Sequence, residues 1–173
     1  MRVICDIETL SDTFTVSFLD YDSDKTQVLV INKDINQLQE LKQFLSHVKY
    51  LITLNGIHFD SIVLDWMIKQ PQVTAERIYE VAQIVINQDR FYDLYKPYSK
   101  HKWNHSWIDL DLFCYWSKGL RQSKKLSLKY FAVNMDMDIQ EMPIHHTRKN
   151  LTPEELQQVL DYNMLDCRVT KEL

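Results

Sequence analysis

The first nine residues contain the feature that most constrains the fold, an apolar run interrupted by two acidic side chains. The apolar residues of segment 2–9 predict a buried β-strand, with Asp6 and Glu8 set into it two positions apart. Because side chains at i and i+2 of a strand point to the same face, both carboxylates project from one side. Two ionised carboxylates resist burial together unless a cation lies between them. The pattern fits either a metal-binding pair or a solvated strand end.

Composition and length indicate one globular domain spanning residues 1–173. The chain is 45% hydrophobic and 25% charged, and 173 residues are enough to bury a sizeable core. Its three cysteines have neither the spacing of a zinc site nor that of a disulfide framework, which favours a reducing compartment. No apolar run approaches the ~20 residues that a membrane-spanning helix needs. We therefore expect a cytoplasmic protein without a membrane partner.

The hydrophobic pattern predicts an α/β fold. Residues 2–31 have the alternation and turn composition of three antiparallel strands, and residues 51–54 form a further short strand. Gly56 permits a tight turn from that strand into a helix. The clearest helix start is Thr152-Pro153-Glu154-Glu155, a capping box with proline at the first helical position. Further helices are predicted at residues 36–48, 74–86, before Pro71 and around Tyr130.

Two more segments bring acidic residues to the predicted ends of regular elements. Asn55-Gly56-Ile57-His58-Phe59-Asp60 connects a strand to a helix and places Asp60 in or near its first turn. Tyr162 and Asp166 lie four residues apart on the last helix and therefore share a face. Each has an ordinary structural explanation, since an acid stabilises a helix start and a tyrosine beside an acid is common. Asp109 or Asp111, in an alternating stretch that enters the core, is expected to serve as a turn or cap residue.

Positive charge and aromatic rings are concentrated between residues 90 and 130. This window holds nine basic residues against three acidic ones, and ten of the 20 aromatic residues, although the whole chain carries a net charge of −4. Rings that stack on bases and amines that contact phosphates are what single-stranded nucleic acid requires. A solvated surface loop is the alternative interpretation of the stretch from Arg90 to Trp103.

Taken together, Asp6-x-Glu8, Asn55-Gly-x-x-Phe-Asp60 and Tyr162-x-x-x-Asp166 resemble the three motifs of the DEDD 3′–5′ exonucleases. This ribonuclease-H-like group includes the proofreading domains of DNA polymerases, and the resemblance spans residues 4–169. Ser127-Leu128-Lys129 also looks like a stretch common in these enzymes. Asp161 stands where the histidine branch carries its His, so the chain resembles the tyrosine branch. The segment 161–166 is most similar to exonucleases of phage-type replication.

The resemblance implies a ribonuclease-H-like mixed sheet, flanked by helices, and a site for two divalent cations, Mg²⁺ or Mn²⁺. Four acids would hold the ions, namely Asp6, Glu8, Asp60 and Asp166. Tyr162 would orient the attacking water, because an unperturbed phenol with pKa near 10 is a poor base at neutral pH. The expected substrate-binding residues are Thr9, Asn55, Phe59, Lys96, Lys100, Lys102, Trp103 and Lys129.

The resulting hypothesis is a 3′–5′ exonuclease that releases nucleoside 5′-monophosphates from single-stranded DNA in a bacterial or phage-infected cytoplasm. Three alternatives remain: the proofreading portion of a larger DNA polymerase, an RNA-processing exoribonuclease, and a non-catalytic nucleic-acid-binding domain. A DNA polymerase or replication complex is the expected protein partner. Residues 70–105 are long for a simple connection, and we expect them to form a lid or strand guide.

Overall fold

A five-stranded mixed sheet forms the centre of the computed structural model, which describes residues 1–87, 105–120, 127–137 and 140–173. Its order is β3-β2-β1-β4-β5, in which the first three strands are antiparallel and β1, β4 and β5 are parallel. The strands are β1 (Arg2–Leu10), β2 (Thr13–Asp20), β3 (Thr26–Ile31), β4 (Tyr50–Thr53) and β5 (Ile108–Asp111). This mixed sheet flanked by helices confirms the predicted ribonuclease-H-like α/β fold.

Helices cover the two faces of the sheet. They are α1 (Leu38–Ser46), α2 (Asp60–Lys69), α3 (Ala75–Asn87), α4 (Leu112–Leu120), α5 (Leu128–Asn134) and α6 (Pro153–Glu172). Helices α1, α2 and α3 pack with Val3, Cys5 and Ile7 in the larger core. On the opposite face, Ile4 packs with Cys167 of α6 in a smaller cluster. Because β1 alternates between these faces, Asp6 and Glu8 point toward the side that α6 covers.

The capping box at the start of α6 is present as predicted. The Thr152 hydroxyl accepts a hydrogen bond from the Glu155 N–H at 3.2 Å, and the Glu155 carboxylate accepts one from the Thr152 N–H at 2.8 Å. Pro153 occupies the first turn, where its missing N–H costs no intrahelical bond. These contacts fix the residue at which α6 begins.

The two acids of β5 connect distant elements of the fold. Asp109 accepts hydrogen bonds from the Ser61 hydroxyl on α2 at 2.5 Å and from the Trp107 indole N–H at 3.2 Å. Asp111 accepts one from the Phe113 N–H at 2.9 Å, at the start of α4. The predicted cap role is therefore confirmed for Asp111.

The predicted insertion at 70–105 is described in part. Its first half contains α3, close to the helix that the pattern predicts at 74–86. Residues 88–104, which include Lys96, Lys100, Lys102 and Trp103, lie outside the described residues. Among the helices that the structure describes, none is long and apolar enough to cross a bilayer.

Candidate active site

Three acidic side chains from two distant segments meet where β1 faces α6. Ligand oxygens of Asp6, Glu8 and Asp166 all lie within 4.8 Å of one another. Alternation along β1 puts the first two on one face, and packing of α6 across β1, β2 and β4 brings the third to them. The strand thus supplies two carboxylates and the helix one, on backbones that regular structure holds in place.

Asp60 lies beside this group, at the first residue of α2. Its side chain is 6% exposed, and its Oδ1 accepts a hydrogen bond from the Ile7 N–H at 3.1 Å. Because Ile7 lies between Asp6 and Glu8, this bond fixes Asp60 against the stretch of β1 that carries the other two acids. The structure therefore brings together all four acids that the sequence indicated.

Burial and mutual repulsion make these carboxylates weak acids. Burial raises the pKa of Asp6 well above its usual range, and the charges of Asp60 and Glu8 raise it further. The pKa of Glu8 rises to about 8, that of Asp60 to about 7 and that of Asp166 to about 6, with burial the largest cause in each case. Such a group is costly to ionise unless positive charge compensates it.

Tyr162 stands one turn before Asp166 on α6. The two side chains share one face of the helix, and hydrogen bonding by the Tyr162 hydroxyl lowers the pKa of the Asp166 carboxyl group. Burial raises the pKa of the Tyr162 phenol far above its usual range, and the charges of Asp166 and Glu8 add to this. Tyr162 is therefore a neutral hydrogen-bonding group over the physiological pH range.

Asn163 is a site residue for which the sequence offers no signal. It is fully buried on α6, and its Nδ2 donates a hydrogen bond to Asp6 Oδ2. An asparagine between Tyr162 and Asp166 looks unremarkable along the chain, because its role depends on how the helix is rotated over the sheet. Contact with a carboxylate of β1, 157 residues earlier, assigns it to the site.

The tight turn that the sequence predicts at Gly56 is present between β4 and α2. The positive φ angle of this turn, 67°, belongs to Asn55, and Gly56 adopts no positive φ. Gly56 is required instead for close packing, since a Cβ there would lie 2.2 Å from the Thr53 Oγ1. Asp111 holds the turn by accepting hydrogen bonds from the N–H groups of Asn55 and Ile57 at 3.0 and 3.1 Å.

A cleft of about 470 Å³ opens from the acids. Its walls come from β1, the β4–α2 turn, α4, α5 and α6, and its lining residues are Asp6, Leu54, Asn55, Phe113, Ser127, Leu128 and Asp166. Lys129 follows this lining on α5, pairs with Glu141, and lowers the pKa of Asp166 through its charge. The Ser127-Leu128-Lys129 stretch therefore lies at the site, together with Asn55.

Two other predicted substrate-binding residues lie elsewhere. Thr9 is buried and, by alternation along β1, points away from the face that carries Asp6 and Glu8. Phe59 is half-buried and packs against the larger core. Their role in substrate binding stays a prediction, as do those of the four residues outside the described ranges.

Comparison with known proteins places the chain in a family. A family model described as the RNase_H superfamily matches residues 3–173. The chain belongs to the RNase H superfamily. No curated protein and no solved structure matches it at a significant level. Membership of the RNase H superfamily supports nuclease activity, and nucleases of this superfamily generally use divalent metal ions.

The acids of this RNase H superfamily member suit such ions. Carboxylate oxygens are the hard ligands that Mg²⁺ and Mn²⁺ prefer. Asp6, Glu8 and Asp166 offer three such oxygens, which lie close enough together to bind one ion. The raised pKa values of Asp6 and Glu8 indicate that neighbouring groups of the protein do not compensate their negative charge. The residues present therefore fit a divalent cation.

A second group of potential ligands, His58, Asp111 and Cys114, lies where the β4–α2 turn meets the end of β5 and the start of α4. Both carboxylate oxygens of Asp111 already accept backbone N–H bonds, from Asn55 and Ile57 and from the first turn of α4. Burial lowers the pKa of His58, which is consistent with a neutral imidazole packed in this turn. We interpret this group as the anchor of the β4–α2 turn.

Proposed function

We propose that the chain is a divalent-metal-dependent 3′–5′ exonuclease of the tyrosine branch, acting on the 3′ end of single-stranded DNA. The convergence of Asp6, Glu8 and Asp166, with Asp60 held against the same strand, carries the proposal. These are the four acids of the three motifs that resemble the DEDD exonucleases. The direction of hydrolysis and the preference for DNA rest on that resemblance.

The four acids would hold two Mg²⁺ or Mn²⁺ ions, with Asp6 as the central ligand. When bound, such ions supply the positive charge that activates a water and stabilises the leaving 3′ oxygen. The chain's own contribution is to hold the carboxylates on a rigid strand and two helices, so that they ionise on metal binding with little rearrangement of the backbone. Asn55, Ser127 and Leu128 border the cleft in which the terminal nucleotide would lie.

Tyr162 would orient the attacking water through its hydroxyl group. Its raised pKa keeps the phenol protonated, so it donates and accepts hydrogen bonds and does not abstract a proton. Its contact with Asp166 fixes the hydroxyl beside the carboxylates. We therefore expect Tyr162→Phe to lose less activity than removal of any acid.

The substrate and direction can be tested with one matched set of nucleic acids. The 5′-labelled linear single-stranded DNA should shorten stepwise to give nucleoside 5′-monophosphates with Mg²⁺ or Mn²⁺, and should stay intact with EDTA. Circular single-stranded DNA of the same sequence, which has no 3′ end, should survive. Cleavage of the circle would show an endonuclease and would refute the exonuclease proposal.

Two further substrates separate the alternatives. Faster degradation of the matching RNA would replace the DNA preference by an exoribonuclease activity. Preferential removal of a mismatched 3′ nucleotide from a duplex would support a proofreading role alongside a DNA polymerase. Metal-independent binding without hydrolysis of any substrate would favour a non-catalytic nucleic-acid-binding domain.

Variants of the acids test the assignment of the site. Asp6→Ala, Asp60→Ala and Asp166→Ala should each abolish the metal-dependent activity while circular dichroism stays native. Asp161→Ala is the matched control, because this exposed acid lies on the same helix and is hydrogen-bonded to Gln157 outside the cluster. Undiminished activity in Asp6→Ala, or an equal loss in the control, would contradict the assignment.

A further inference from the structure

The sheet face beneath α6 contains buried polar atoms whose partners the described residues do not supply. Thr15 Oγ1, Ser17 Oγ and Asn163 Oδ1 are inaccessible to solvent and make no hydrogen bond within the described ranges. All three residues are 0% exposed. A buried polar group left unpaired destabilises the folded state, so native proteins pair such groups with each other or with an internal water.

Strand register places the two hydroxyl groups beside the acids of β1. Ser17 on β2 is directly opposite Asp6, and Thr15 is directly opposite Glu8. Side chains of opposed residues share a face of the sheet, so each hydroxyl lies next to one carboxylate-bearing position. The polar face therefore extends from the proposed metal site into the interior of the protein.

Helix α6 brings Asn163 over the same two strands. Its Nδ2 donates to Asp6 Oδ2, and Cys167, one turn further on the same helical face, donates its thiol to the Ser17 carbonyl at 3.4 Å. The helical face that carries Asn163 therefore rests on the Asp6–Ser17 pair. The unpaired atom of Asn163 is an acceptor, whereas the Ser17 hydroxyl can supply a donor.

The orientation of the Asn163 amide follows from its neighbour. The Nδ2 group faces Asp6 Oδ2. With the two amide atoms exchanged, Oδ1 would face Asp6, and two acceptors would be opposed without a proton between them once a bound cation ionises that carboxylate. The Nδ2 group is the amide atom that can bond an ionised Asp6. Oδ1 is then the amide atom that is inaccessible to solvent and has no partner among the described residues.

We propose that Asn163 is a positioning residue for Asp6, and that the Ser17 hydroxyl fixes Asn163 through one buried water, which accepts from Ser17 and donates to the Asn163 Oδ1. One carboxylate oxygen of Asp6 is thereby held by the amide, and the other stays available to a divalent ion. The inference rests on the proposed function, because it assigns the support of that metal site. Partners that orient a metal ligand in this way typically contribute tenfold to hundredfold in metal affinity.

The test measures binding of Mn²⁺ to the metal-free full chain, without nucleic acid, by electron paramagnetic resonance of the free ion. Asn163→Leu preserves volume and removes both hydrogen-bonding atoms, and we expect it to weaken Mn²⁺ binding about tenfold to hundredfold. Ser17→Ala should weaken binding severalfold, since it removes the donor to the water that bonds Asn163. Should Asn163→Leu not fold, Asn163→Ala, which favours the helix, should show at least a fivefold loss.

Matched controls separate positioning from packing. Thr15→Val removes the other unpaired hydroxyl without changing the shape of the side chain, and Cys167→Ala removes a buried atom from the same face of α6. Both should change thermal stability while the Mn²⁺ affinity stays within twofold of the wild type. A structural role alone would instead lower affinity in all variants in proportion to their loss of stability.

The outcomes distinguish the inference from the function on which it rests. If the wild-type chain binds no Mn²⁺, the metal-dependent function fails with it. If the wild type binds Mn²⁺ and folded Asn163 variants bind it equally well, the positioning role is wrong and the function stands. If Asn163→Leu loses affinity and Ser17→Ala does not, Ser17 is removed from the proposal.

Discussion

Replacing Asp60 by Asn should make the metal-free protein more stable at neutral pH. Asp60 is buried at the start of α2, and its Oδ1 accepts the Ile7 N–H bond, which an Asn Oδ1 can also accept. The substitution therefore keeps the hydrogen bond and removes the ionisable group. It isolates the free energy that ionising this one carboxylate costs the folded state.

The size of the effect follows from the pKa of Asp60. Burial raises it from 3.8 to about 7, despite backbone hydrogen bonds that lower it. Folding thus favours the protonated form of Asp60. The resulting contribution to the free energy of unfolding is fully present below the pKa of the unfolded chain, and it is lost as the pH rises through about 7. The difference between these two pKa values corresponds to about 4 kcal/mol of unfolding free energy in all. Of this contribution, about 2.5 kcal/mol is lost between about pH 5 and about pH 8.

The assay is urea unfolding in EDTA across that pH interval, for the wild type and for Asp60→Asn. Asp6, Glu8 and Asp166 titrate with the same sign, so both proteins should lose stability as the pH rises. The difference between them should grow by about 2.5 kcal/mol in favour of the variant, because only the wild type ionises Asp60.

Two results would refute this reasoning. One is a constant difference between the two proteins from about pH 5 to about pH 8. The other is a wild type whose stability rises with pH in EDTA, as it would if the carboxylates were compensated within the protein. Adding Mn²⁺ at the upper pH should reverse the order, since the ion stabilises the folded state that binds it best.

Three further predictions concern the supports of the site, each measured by urea unfolding. Gly56→Ala should cost about 1–3 kcal/mol, because the new Cβ collides with the Thr53 side chain; a neutral result would contradict that packing. Thr152→Ala should cost about 1 kcal/mol of unfolding free energy, because it removes half of the capping box, and adding Glu155→Ala should not recover that loss. Asp111→Asn should cost about 2–3 kcal/mol through lost charge-assisted bonds to the β4–α2 turn, with unchanged stability as the contrary outcome.

The parts of the site that the sequence predicts are those set by local periodicity. Alternation along β1 places Asp6 and Glu8 together, and helical spacing does the same for Tyr162 and Asp166. The capping box marks where α6 begins, which is a contact between residues three positions apart. Each of these relations involves neighbouring residues, so the pattern of one segment is enough to state it.

Other contacts depend on segments that meet only in the folded chain. Asp111 was expected to cap a turn, but its bonds to the N–H groups of Asn55 and Ile57 join residues more than fifty positions apart. The need for glycine at position 56 comes from a contact within the turn, because Thr53 is only three positions away, but this contact depends on the conformation of the turn, in which Asn55 has the positive φ angle. Local propensity contains no information about such contacts.

The sequence by itself determined strands β1 to β4 and five of the six helices that the structure describes, because periodicity and capping act within one element, whereas β5 and α4 were not predicted. The identity of the four acids came from the resemblance of their motifs. Tertiary structure decided how those acids meet, through the packing of α6 across β1 and β2 and the start of α2 against Ile7. It also decided that Asn163 serves Asp6, and that burial raises the pKa values of the acids. Both depend on distances between segments, which are fixed when the sheet and helices pack together.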